Sequence, residues 1–129
     1  MSCKASFALR IIYAACLLGA TCTHLAILWQ HGVLWDYGGA HLFTRVYWTS
    51  LTFLDPLAAF LLFVRPHAGL VLTVAIITSD VLHNALVGVP SLNAMYISQV
   101  VFLFFVACTV YVAWRGSPSE PRHEATLSV

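Results

Sequence analysis

From residue 49 to residue 84 the chain is two apolar runs joined by Arg65-Pro66-His67, and each run carries one aspartate near its middle. Asp55 stands midway between Arg45 and Arg65 with no other charge between them. Asp80 follows in the next run, with His83 and Asn84 one turn further on. A membrane-spanning helix needs about 20 mostly apolar residues. Four segments meet that requirement, at about 11–29, 46–64, 68–89 and 94–114. Backbone polar groups have no water to bond in lipid, so such runs must be helices, and no alternating pattern suggests a barrel. The fold class is therefore all-α: an integral membrane four-helix bundle, up-down-up-down, occupying 1–114.

Composition agrees. Residues are 60% hydrophobic and 9% charged, where a soluble domain carries roughly a quarter charged. So short a chain has no aqueous core large enough for that much apolar surface, and a lipid bilayer is the partner it needs. The net charge of +1 comes with no basic block, which excludes a nucleic-acid partner. Cys3, Cys16, Cys22 and Cys108 have no C-x-x-C spacing, so they read as small apolar fillers.

Orientation follows from the basic residues. Lys4, Arg10, Arg65, Arg115 and Arg122 fall on one side of a four-pass topology, and Arg45 alone falls on the other. Both termini are expected in the cytoplasm. A bacterial plasma (inner) membrane fits the small size and the lack of targeting motifs. The N-terminal run resembles a secretory signal, but it continues past residue 20 to Trp29, beyond a signal's h-region. Tyr13 and Gly19, not Leu, stand three residues before Cys16 and Cys22, which argues against a lipoprotein signal. The run reads as an uncleaved first helix. Residues 115–129 change abruptly to Gly, Ser, Pro and Glu and read as a disordered cytoplasmic tail.

The long connection 30–44 holds Trp35, Asp36, Tyr37, His31 and His41, with Trp29 and Trp48 at its flanks. It reads first as an aromatic anchor at headgroup level and second as a lid over a pocket. The short turns at 65–67 and 90–93 place the second, third and fourth helices side by side and antiparallel.

Counting from helix centres at about 1.5 Å per residue sets the polar groups at one level. His24 lies about 6 Å outward of the midplane, Asp80 near it, and His83, Asn84 and Gln99 about 7 Å outward. Thr52, Thr49 and Ser50 stand above Asp55. Asp80, His83 and Asn84 share one face of the third helix, as Arg45, Thr49, Thr52 and Asp55 share one of the second. The expected ligand-binding set is Asp55, Asp80, His83, His24, Asn84, Gln99, Thr52 and Arg45, around an outward-facing polar pocket; the inner half offers nothing comparable. Pro56 leaves the Thr52 carbonyl without its helical donor, and water or a ligand in the pocket would supply one.

Such a layer suits binding or relay of a proton, a cation or a small polar head group. Two like charges at one depth repel, so one carboxyl should hold a proton near neutrality. A charge at the centre of a span costs at least ~2.5–3.5 kcal/mol, while interhelical hydrogen bonds return about 0.6 kcal/mol each, which disfavours mere glue. A second reading is a haem or divalent metal site, with His24, His83 and Asp80 as ligands. A third is an enzyme with Asp80 and His83 as an acid–base pair. In outline the chain is similar to the emopamil-binding and sigma-2 receptor group of small helical membrane domains with buried acidic residues. That resemblance covers architecture only and implies an isomerase acting on a hydrophobic, sterol-like substrate. A fourth reading is a structural subunit or assembly factor without a ligand.

Overall fold

The computed structural model describes residues 3–89 and 93–118. Among them are four helices, α1 Cys3–His31, α2 Leu42–Val64, α3 Pro66–Leu86 and α4 Ala94–Arg115. Each is long and apolar enough to cross a membrane. α1 packs on α2, α2 on α3, α3 on α4, and α4 closes the ring against α1. Phe53, Phe60 and Phe104 are exposed on the outside of the ring, a surface that suits lipid rather than water.

The helix ends differ from the sequence expectation where local chemistry decides them. α1 starts at Cys3, not near residue 11, and spans about 43 Å at 1.5 Å per residue. It stops where Gly32 takes a left-handed φ of 81°, its N–H bonding the Leu28 carbonyl at 2.8 Å. α3 stops at Leu86 rather than 89. Gly88 adopts φ 79°, and the N–H groups of Gly88 and Val89 bond the carbonyls of Ala85 and Asn84, a Schellman cap. α4 begins where the Asn93 side chain accepts from Met95 and Tyr96 N–H. The 90–92 turn and the 119–129 part of the expected tail lie outside the described residues.

One connection is shorter than its sequence suggests. Only Arg65 separates α2 from α3, because Pro66 opens α3 at the position where its missing N–H matters least. The hairpin brings Gly69 against the Leu61–Leu62 backbone so closely that a Cβ there would lie 2.6 Å from the Leu61 carbonyl carbon.

The half of the bundle nearest the start of α1, expected to hold nothing comparable to the polar layer, carries buried polar groups of its own. Arg10 is 5% exposed, and its Nη1 donates to the Leu62 carbonyl at 2.9 Å. That carbonyl belongs to the last turn of α2, and Pro66, four residues on, has no N–H to offer it. Arg10 therefore caps α2 from a neighbouring helix. Ser6 does the same for α4, its Oγ donating to the Ala113 carbonyl at 2.7 Å. Tyr13 is fully buried, with its hydroxyl 2.6 Å from Thr109 Oγ1 and its ring edge-on to Phe102 and Phe105.

Candidate functional site

At the end of the ring nearest the 32–41 loop, the four helices enclose two adjoining cavities of about 290 and 280 Å³. His24, Asp80, Met95 and Gln99 line both. Asp55 lines the first, together with Leu17, Ile76, Ile77 and Phe102. Tyr37, Trp48, Asn84 and Tyr96 line the second. Neither cavity is lined by a lysine or arginine.

The helix period explains why these groups meet. Asp80 and Asn84 are one turn apart on α3, and both are buried. Asn84 is the hub: its Nδ2 donates to Asp80 Oδ1 at 3.2 Å and to Gln99 Oε1 at 2.8 Å. Its Oδ1 accepts from the Trp48 indole at 3.0 Å. One amide thus ties α2, α3 and α4 together, with both N–H donors and its oxygen engaged. Across the cavity His24 Nε2 on α1 lies 3.9 Å from Asp55 Oδ2 on α2. His24 Nδ1 has no protein partner among the described residues. Both carboxylates therefore face the cavity, one held by an amide and one beside an imidazole.

Three of the residues singled out from the sequence are placed elsewhere. His83 lines neither cavity; it sits among the rings of Phe43, Tyr47 and Trp48, with the Tyr47 centroid at 4.5 Å. It shares a helix face with Asp80, yet that face is wide enough for the two to serve different neighbours. Thr52 is buried and lines neither cavity, with its Oγ1 unpartnered among the described residues. Arg45 bonds the Leu34 carbonyl at 2.8 Å and the Trp35 carbonyl at 3.3 Å, so it fastens the loop. Since His83 stays out, His24, His83 and Asp80 are not gathered, and among the described residues no three His, Cys, Asp or Glu side chains form a metal-holding group.

Two residues of the site were not singled out for it. Trp48 looked like an interfacial flank, and nothing in its spacing reveals that its N–H meets Asn84. Tyr37 looked like part of an anchor. The loop reaches the second cavity through a run of ring contacts: His31 stacked on Trp35 at 3.9 Å, Trp35 tilted against Tyr37 at 4.6 Å, and Tyr37 tilted against Trp48 at 5.1 Å. Consecutive left-handed residues, Tyr37, Gly38 and Gly39, make the reversal, and the two glycines adjacent to Tyr37 were its sequence signal.

No family model, curated protein or solved structure matches the chain. The outline likeness to the emopamil-binding and sigma-2 receptor group thus gains no support from those comparisons.

Proposed function

We propose that the chain is a small multi-pass membrane protein whose intramembrane cavity binds a cation or a small positively charged head group. The carrying observation is that Asp55 and Asp80 line one cavity into which no lysine or arginine projects. Two carboxylates with no lysine or arginine to balance them make a site that favours positive charge, and low-dielectric walls strengthen the attraction. His24 beside Asp55 supports proton exchange coupled to occupancy. The Asp80/His83 acid–base alternative has less behind it, because His83 is packed among rings outside the cavity.

The topology belongs to the same proposal. The bundle is one domain, up-down-up-down, with both termini and the tail in the cytoplasm of a bacterial cell. Support comes from the basic residues and from Ser6 and Arg10 bonding the ends of α4 and α2, as antiparallel neighbours require. The cavity then faces the outer half of the bilayer.

The test is thermal unfolding of the protein in lipid nanodiscs with butyltrimethylammonium, butanol or butyrate. The ammonium should raise the midpoint by several degrees, as an occupant at many times its Kd does, and butanol and butyrate should not. Asp55→Asn and Asp80→Asn should each abolish the shift. Equal shifts with all three compounds would overturn the reading.

A further inference from the structure

We propose that the ligand enters this cavity sideways from the bilayer, through a gap between α1 and α4, and is therefore an amphiphile with an ammonium head and an apolar chain. The inference rests on the cation-site reading above and adds the route and the tail.

Three of the four seams of the ring are closed by side chains beside the cavities. α2 and α3 are bridged by Trp48 to Asn84 and by Tyr47 to Ser79 at 2.9 Å. α3 and α4 are bridged by Asn84 to Gln99, and His24 meets Asp55 across the α1/α2 seam. The α1/α4 seam differs. Its bonds, Ser6 to Ala113 and Tyr13 to Thr109, lie toward the Arg10 end. Among the described residues no side-chain hydrogen bond joins α1 to α4 beyond Tyr13.

Past that belt the first cavity reaches the seam between the two helices. Cys16, Gly19 and Thr23 of α1 and Met95 and Ser98 of α4 line the first cavity, and all five are exposed. Cavity walls built of exposed residues mark an opening. Nothing lies within 4 Å of where a Gly19 Cβ would be, so the opening includes space at the glycine itself. The other way in, from the loop end, is overhung by Tyr37 and Trp48, with Arg45 fastening the loop.

The walls specify the occupant. Asp55 and Asp80 share the first cavity with the apolar side chains of Leu17, Ile76, Ile77 and Phe102, so a charged head and an apolar chain both find partners in it. A molecule dissolved in the bilayer keeps its chain in an apolar medium throughout entry, so the head group alone gains from the site. A small hydrated ion has no reason to reach an opening that faces lipid.

The experiment compares hexadecyltrimethylammonium, which partitions into the membrane, with butyltrimethylammonium, which stays in water, in nanodiscs holding the full chain. Binding is read from intrinsic tryptophan fluorescence, Trp48 being part of the wall. Gly19→Trp places a bulky ring in the gap, where the open space lets the helix keep its fold; a Gly19→Ala control should bind as wild type. Once bound, the chain lies in the gap through which it entered, so the expected result is a tenfold or greater loss of long-chain affinity in Gly19→Trp, with the short-chain affinity within about threefold of wild type, and loss of both in Asp80→Asn. Unchanged long-chain affinity in a folded Gly19→Trp protein would overturn the lateral route and leave the cation site standing. Failure of both ammonium compounds to bind wild type would overturn both.

Discussion

Arg10 is the residue whose role departs most from its sequence reading. As a basic residue ahead of an apolar run it counts toward topology, yet its side chain is buried and caps α2. Hydrogen bonds from charged donors contribute about 1.5–3 kcal/mol. Arg10→Met should lower stability by that order in a reversible detergent-unfolding titration, whereas Arg10→Lys, which keeps the charge and a donor, should recover about half. His83 makes the converse case. A polar residue one turn from Asp80 reads as part of the site, but three aromatic rings surround it, and its Nε2 has no partner among the described residues. His83→Phe should leave ammonium affinity within about twofold of wild type and stability equal or higher, since an unpartnered polar atom is removed. A tenfold loss of affinity would restore His83 to the site.

At the scale of elements, the existence and number of the helices were legible because lipid imposes a length and an absence of charge that few other contexts do. Helix ends were less so. Gly32 and Gly88 close α1 and α3 in the structure, where the sequence reading set the ends at 29 and 89, and the start of α1 falls among Cys3, Lys4 and Ser6, where polarity suggested a flank and where Ser6 in fact bonds α4. Counting residues grouped Asp55, Asp80 and Asn84, and the structure places them around the two cavities. The facing of His83 and Arg45 did not, because a helix face spans enough arc to reach two neighbours. The α2/α3 hairpin carries a sharp expectation of its own. At Gly69 a Cβ would meet the Leu61–Leu62 backbone, which cannot give way as a side chain would. Gly69→Ala should cost about 1–3 kcal/mol in the same titration, and Gly69→Val more. A neutral Gly69→Ala would mean that the two helices are not in contact there.

For the whole molecule, orientation rests on a count of basic residues, although buried Arg10 is one of them. Even without it, the remaining basic residues favour the same sidedness, so the topology does not depend on that residue. Single cysteines introduced at Lys4 and His41 in a cysteine-free background should divide cleanly: an impermeant maleimide applied to intact cells labels position 41 and not position 4. Labelling at 4 alone would invert the bundle and turn the cavity toward the cytoplasm.

The claim on which the rest depends is that Asp55 and Asp80 jointly receive a positive charge inside the bundle. Infrared difference spectroscopy during titration with butyltrimethylammonium reads the carboxyl groups themselves. The account predicts that carboxyl bands of two aspartates change on binding in wild type, with the Asp55 contribution missing in Asp55→Asn and the Asp80 contribution missing in Asp80→Asn. Binding that leaves every aspartate band unchanged would contradict it.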